Sequence, residues 1–284
     1  MTELVDTNAL AYSGRAPTPA RQAARVRRWG WWYQAEWRLL GMKAYWTSIV
    51  GSALLTPVLY VLAMGFGLGA LVDASAGGVG GVPYLTFVAP GLLVSTVVMS
   101  AANELMFPVM DGFKWGKYYY ARGATAASSL QVAVGELVAV AIRMLGEAAL
   151  FWAILVLLGA TTLGWSWLMI PIAALAGMAF GAPLLAYSAT LENEGFEFSM
   201  IQRFVVMPMF LFAGTFYPLE TMPPYVQVIG WLSPMWHGTQ LARLVSYGMP
   251  QTGWQIAVHL GFLTVLLAVG AGFAVRNFVA RLAR

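Results

Sequence analysis

The chain contains no cysteine, which excludes disulfide frameworks, cysteine-ligated metals and thiol catalysis. Histidine is nearly as scarce: only His237 and His259 occur, and neither sits in an H-E-x-x-H pattern. A G-x-S-x-G nucleophile sequence is also missing. Gly116-Lys117 has the look of a phosphate-binding loop. That loop, however, needs glycine where Asp111 stands and serine or threonine where Tyr118 stands. Charge is the most telling shortage. Charged residues make up 10% of the 284 positions, against about 25% in soluble domains. A water-soluble globule could not cover itself with so few, so soluble enzymes and nucleic-acid binders are excluded.

What is present is apolar. Hydrophobic residues reach 60%, and the mean hydropathy is +0.69. A helix needs roughly 20 mostly apolar residues to cross a bilayer. Six stretches meet that length: 46–69, 84–107, 129–158, 165–188, 200–217 and 254–278. The alternating pattern of a membrane β-barrel is lacking. The expected fold is all-α, a polytopic membrane protein with six transmembrane helices.

Lysine and arginine orient it. Arg15, Arg21, Arg25, Arg27, Arg28, Arg38 and Lys43 precede the first span. Lys114, Lys117 and Arg122 lie between spans two and three, Arg203 follows span four, and Arg276, Arg281 and Arg284 close the chain. With both termini cytoplasmic, every basic residue except Arg143 and Arg243 lies inside, as the positive-inside rule requires. The net charge of +4 and the isoelectric point near 9.4 then reflect flanking charge, not a nucleic-acid partner. The amino terminus does not read as a cleaved secretory signal. Residues 1–23 read as a disordered cytoplasmic arm, and 44–284 as the membrane domain. Residues 24–43 place Trp37, Leu40 and Met42 among Gln34, Glu36, Arg38 and Lys43. They read as an amphipathic helix on the cytoplasmic leaflet, with a flexible tether bearing aromatic anchors as the alternative.

Three regions carry candidate sites. In span three, Glu136, Arg143 and Glu147 share nearly one helical face, and Arg143 and Glu147 are spaced to pair. Glu104 and Glu136 sit nearer the cytoplasmic ends of their spans. Charges at this depth must be paired or reach water, so the four residues either line a pathway or form a static network that fixes packing. The spacings Gly65/Gly69 and Gly177/Gly181 suit close helix contacts. Between spans five and six, Tyr217, Pro218, Glu220 and Pro223 precede an apolar stretch interrupted at Ser233-Pro234. Serine before proline both ends one helix and caps the next. The segment reads as two broken re-entrant half-helices on the outer side, with His237 and Arg243 near the external mouth. An interfacial loop with an aromatic belt is the alternative.

The same segment resembles a known family. Phe216-Tyr-Pro-Leu-Glu-Thr-Met-Pro, then Leu232-Ser-Pro-Met-Trp-His-Gly and Leu241-Ala-Arg243, is similar to the signature of type-2 ATP-binding-cassette exporter permeases. Ser233, standing between leucine and proline, is a minor departure. Within the family the chain looks most like the branch holding nodulation lipooligosaccharide exporters and daunorubicin-resistance permeases. The resemblance implies a half-transporter in a bacterial inner membrane, not an enzyme. Its expected partners are a second permease copy as a homodimer, two cytoplasmic ATPase subunits, and membrane lipid. No cofactor is expected in this chain; ATP and magnesium would sit on the ATPases. The expected cargo is amphipathic: a lipid-linked saccharide, a lipooligosaccharide or a hydrophobic drug. The resemblance also makes residues 108–125 a coupling loop for the ATPase, carried by Asp111, Lys114, Trp115, Lys117, Tyr118, Tyr119 and Arg122. Headgroup anchoring is the plainer reading of that loop. Glu192, Glu194 and Glu197 offer a second contact or a solvated turn. The rival functions are an ion-coupled secondary transporter using the span-three charges, and a membrane-embedded transferase or protease, whose acidic or histidine constellation is missing.

Overall fold

The computed structural model describes residues 18–192 and 195–283, and within them the regular elements are helical apart from one antiparallel bridge, Val79 to Val82. Helix α1 runs Pro19–Lys43; the Thr18 side chain caps it by accepting from the Arg21 N–H at 3.4 Å. A capping threonine followed by proline at the first helical position is a strong start signal. It moves the beginning of the expected 24–43 helix forward, so residues 19–23 are its first turn and not a disordered arm. Residues 1–17 lie outside the described part.

Helix α2 is continuous over 46–76, in three pieces: Trp46–Tyr60, a π-helical stretch Val61–Leu68, and Gly69–Ala76. Helix α3, Tyr84–Glu104, is the centre of the bundle, buried on almost every side. A short α4, Phe107–Met110, passes through a π-helical turn, Asp111–Trp115, into α5, Tyr118–Gly123. Helix α6 spans Ser129–Leu157, and α7 spans Met169–Ser188 behind a 3-10 turn at Trp165–Leu168. Helix α8 covers 197–212 as Glu197–Ile201, Gln202–Val206 and Met207–Phe212. Helices α9, Pro224–Trp231, and α10, Pro234–Tyr247, meet at Ser233, whose hydroxyl accepts from the N–H groups of Met235 and Trp236 at 3.1 and 3.4 Å. Helix α11, Gly253–Leu282, closes the described chain.

Among the described residues, five helices are long and apolar enough to cross a membrane: Val58–Ala76, Tyr84–Trp115, Ser129–Leu157, Trp165–Ser188 and Gly253–Leu282. The protein is therefore polytopic. The segment expected as span five differs. Its helix, α8, is built from pieces of five, five and six residues and ends at Phe212, where Gly214 takes φ +73°. Glycine is the residue that tolerates this left-handed turn.

Small residues set the helix spacing. A Cβ on Gly177 would come within 3.2 Å of the Val97 carbonyl oxygen, and one on Gly181 within 2.6 Å of Leu105. That glycine pair therefore brings α7 against α3. Gly65 and Gly69 do the same for α2, against Leu85 and Tyr84. Gly135 of α6 meets the backbone of α1, where an added Cβ would lie 2.8 Å from the Trp31 carbonyl oxygen. The expected surface helix is thus docked on α6, and it buries Gln34, Ala35, Arg38 and Met42 in doing so.

Candidate functional site

One end of the bundle gathers charge. Glu136 of α6 is fully buried; Arg38 of α1 lies 3.0 Å from one of its oxygens and Arg122, at the end of α5, 3.4 Å from the other. Arg38 also reaches Glu104 of α3 at 3.2 Å, and Glu104 pairs in turn with Arg143 of α6. Arg122 donates to the Gln34 side chain at 2.6 Å and to its carbonyl at 3.1 Å. Glu147 accepts from Ser100 Oγ at 2.7 Å. The pairing expected between Arg143 and Glu147 along one helix thus gives way to partners on α3. Burial alone would lower the Arg38 pKa, but Glu136, the two tyrosines 119 and 118 and Glu104 raise it, so its charge is held firmly. Four separate segments are tied together by these contacts.

The loop joining α3 to α6 caps this lattice. Trp115 and Lys117 are exposed, and Asp111 and Lys114 are half-buried. Lys117 holds φ +52° at the start of α5, a conformation non-glycine residues rarely adopt. Tyr118 donates to the Pro108 carbonyl at 2.7 Å. Burial, helped by Glu136, pushes the Tyr118 phenol up to about 12, and burial pushes Tyr119 well above the usual tyrosine value. Tyr119 is wholly buried between Phe113 and Phe278, with Arg122 stacked over Trp37 at 4.7 Å. Of the seven loop residues singled out, Tyr119 and Arg122 therefore face inward and belong to the packing, not to a docking surface. A cavity of about 870 Å³ opens beside the loop, lined by Lys114, Lys117, Tyr120, Thr190, Asn277 and Arg281. Glu197 lies in the first turn of α8, while Glu194 falls outside the described residues.

The opposite end is organised by Arg243 of α10, which is 2% exposed. Its guanidinium donates to the carbonyls of Gly214 at 2.8 Å, Thr215 at 3.3 Å and Phe87 at 3.3 Å, and lies 3.8 Å from the Phe87 ring centre. It satisfies carbonyls beyond the end of α8 that would otherwise be orphaned. Ser95 and Thr215 share a hydrogen bond at 2.9 Å, and Tyr84 donates to the Phe216 carbonyl at 3.1 Å. Tyr217 donates to the Leu211 carbonyl, Pro218 starts a 3-10 turn that contains Glu220, and Pro223 precedes α9. Pro234 starts α10. Of the expected external residues, Pro218, Glu220 and Arg243 line one cavity, and Arg243 holds the backbone just before Tyr217 through Gly214 and Thr215.

His237 and His259, remote in sequence, meet with Nδ1 atoms 2.8 Å apart, and His237 stacks on Phe262 at 4.0 Å. A carbonyl only accepts, so His237 Nε2, 3.0 Å from the Trp231 oxygen, carries the proton. His259 Nδ1 then donates to His237 Nδ1. Sequence reasoning missed this pair, as it missed Gln34, Arg38, Phe87 and Tyr84. A signal existed only for Gln34 and Arg38, which are polar and four residues apart on one face of α1. Among the described residues, no cluster of three or more histidines and carboxylates could hold a metal.

A family model described as ABC-2 type transporter matches residues 34–247, from Gln34 in the charged lattice to the last turn of α10. Three proteins called nodulation protein J are similar over nearly their whole length. That of Sinorhizobium fredii (strain NBRC 101917 / NGR234) is 29% identical over 254 residues, covering 86% of this chain and 92% of its own. The one from Rhizobium leguminosarum bv. viciae is 27% identical, with 83% and 89% covered. The Bradyrhizobium diazoefficiens protein is 27% identical, with 89% and 94% covered.

Proposed function

The chain belongs to the ABC-2 type transporter family, and from that premise we propose that it carries an amphipathic cargo outward across a bacterial inner membrane. It is the transport subunit, a membrane permease without a catalytic domain. The proposed cargo is a lipid-linked saccharide, a lipooligosaccharide or a hydrophobic drug. Two copies of the permease would form the pathway, with ATP and magnesium bound by two separate ATPase subunits. The basic flanks support a cytoplasmic side for both termini and for the charged end, with α8 as the remaining crossing.

One observation carries the mechanism: the α3–α6 loop is exposed on one side and keyed into the bundle on the other. Trp115 and Lys117 point outward, while Arg122 and Tyr119 bind α1, α6 and α11. A displacement of the outer face by an ATPase would therefore reach several helices together instead of bending one loop. The mutual pairing of Arg38, Glu104, Glu136, Arg122 and Arg143 supports a structural lattice over the proton or ion relay that a secondary transporter needs. The test is reconstitution with a partner ATP-binding-cassette ATPase subunit. Vanadate-sensitive export of a lipid-linked saccharide is expected, and export driven by an ion gradient without ATP would overturn the reading.

A further inference from the structure

The cavity of about 870 Å³ beside the α3–α6 loop is bordered by Lys114, Lys117 and Arg281, with Glu192 as the carboxylate in its lining. The buried ring of Phe113 orders two of the donors there. The Arg281 guanidinium lies 4.0 Å from its centre, and Tyr120 meets it edge-on at 5.9 Å. Arg281 is fixed further by Nη1, which donates to the carbonyls of Ala189 at 3.0 Å and Ser188 at 3.4 Å. Arginine carries five donors in one planar fork, so Nε and Nη2 are what it can offer a ligand. These side chains have surface to offer: Lys114 and Arg281 are half-buried, and Lys117 and Tyr120 are exposed. Lys117 stands there in the left-handed conformation, φ +52°, a strain that persists where the surroundings over-determine it, as at ligand clamps.

Depth decides the class of ligand. Helix α11 has 30 residues, so it is about 45 Å long at 1.5 Å per residue. A bilayer with both headgroup layers measures about 40–45 Å. Asn277 and Arg281, in the last two turns of α11 and in the cavity lining, therefore stand among lipid headgroups. The anions at that depth are lipid phosphates, and basic pockets between transmembrane helices take anionic headgroups. Thr190 and Asn277 already spend donors on the Tyr187 and Ala186 carbonyls, at 2.7 and 2.9 Å. The three cations and the Tyr120 hydroxyl are thus the groups that would hold a phosphate. A zwitterionic lipid would bring an ammonium that those cations repel. The volume, in the upper part of the usual range of about 300–1,000 Å³, admits a whole headgroup. Trp115, the exposed residue proposed to meet the ATPase, stands outside the lining. We propose that this cavity binds the phosphate of an anionic phospholipid, one with a phosphoglycerol headgroup. Either orientation of the chain leaves the cavity in a headgroup layer, so the site does not depend on the direction of transport.

The test uses the full chain in nanodiscs of phosphatidylcholine, to which phosphatidylglycerol or diphosphatidylglycerol is added in steps. Electron spin resonance of spin-labelled lipids reports which headgroup the protein retains. Saturable retention of the anionic lipid over phosphatidylcholine is expected, with a melting temperature that rises as the site fills. Lys117→Gln and Arg281→Gln should each weaken retention about fivefold, the effect of one lost basic contact. Tyr120→Phe, which removes only the hydroxyl, should weaken it less. In phosphatidylcholine alone Lys117→Gln should melt as the native chain does, so its lost retention reports the site and not the fold. Arg276→Gln, at an exposed arginine of α11 outside the lining, should retain the lipid fully. Equal retention of anionic and zwitterionic lipid, retention unchanged in both Lys117→Gln and Arg281→Gln, or an equal loss in Arg276→Gln would overturn the site. Glycerol phosphate and inorganic phosphate separate a lipid from a free anion. Binding of either as tightly as the lipid would overturn the assignment to a lipid. Expulsion of the lipid by a docking ATPase subunit would overturn it as well, by giving the cavity to the protein interface.

Discussion

Both ends of the bundle bury arginine, but they neutralise it differently. At the cytoplasmic end in the proposed orientation, Arg38, Arg122 and Arg143 meet the carboxylates of Glu104 and Glu136, and the partners come from α1, α3, α5 and α6. At the other end, Arg243 meets no carboxylate in direct contact; it binds backbone carbonyls of residues 87, 214 and 215 and an aromatic face. Arg281 brings a pin to the charged end as well, where it holds the turn after α7, donating to the carbonyls of Ser188 and Ala189 and stacking on Phe113 at 4.0 Å. A carbonyl cannot change its charge or rotamer, so an arginine on carbonyls acts as a fixed pin. A carboxylate shared between two arginines can exchange partners when its helices shift. The lattice therefore suits the end that must transmit motion, and the pin suits the end that must hold a turn.

The sharpest way to break this contrast is at Glu136. Glu136→Ala would leave Arg38 and Arg122 buried with their shared carboxylate removed. Losing one partner of a buried ion pair costs about 3–5 kcal/mol. The expected result is a large fall in melting temperature and little protein in the membrane, with Glu136→Gln recovering part of the loss. A melting temperature unchanged by Glu136→Ala would mean that the lattice adds nothing to stability.

Arg243→Ala should follow, at about 1–3 kcal/mol, the range for leaving a buried polar group without its partner. The damage should be local. Protease sensitivity should rise in 213–223, the segment that Arg243 holds through Gly214 and Thr215, while the α1–α6 contact stays intact. Simultaneous loosening of both ends would show that the pin and the lattice are one cooperative unit.

A third effect concerns binding, not folding. Trp115→Ala is expected to weaken retention of the ATPase by about 2 kcal/mol, as an exposed aromatic anchor does, with the melting temperature unchanged. Pull-down of the ATPase with equal yield would return Trp115 to headgroup anchoring. Arg122, counted with the same loop, should instead behave like its lattice partner Glu136.

How much of this was readable beforehand follows from what periodicity encodes. A helical repeat identifies a face but not the neighbour that covers it. The spacing of Glu136, Arg143 and Glu147 puts them near one face, yet Arg143 is paired with Glu104 and not with Glu147. The break at Ser233-Pro234 was legible because a cap is a local event, confined to a few residues. The contacts of Arg243 were not legible, since they join segments about thirty and more than a hundred and fifty positions away. Length misled at 200–217, where apolar composition continues past Phe212 but Gly214 turns the chain. In 108–125, composition could mark the aromatic cluster as a surface or a core but could not separate Trp115, at 51% exposure, from buried Tyr119.

The smallest perturbation tests which end faces out, and the lack of cysteine makes it clean. Ser75 and Thr221 are exposed at the Arg243 end, each with its hydroxyl bonded to a nearby carbonyl of its own segment. Replacing either by cysteine should leave stability within about 0.5 kcal/mol. For the charged end, Tyr119 is unsuitable because it is wholly buried. Tyr120, at 42% exposure, is the appropriate site. An impermeant thiol reagent should label Ser75→Cys and Thr221→Cys on intact cells, and Tyr120→Cys only after the membrane is opened. Labelling of Tyr120→Cys from outside would invert the protein. It would put the carboxylate lattice where no ATPase could reach it.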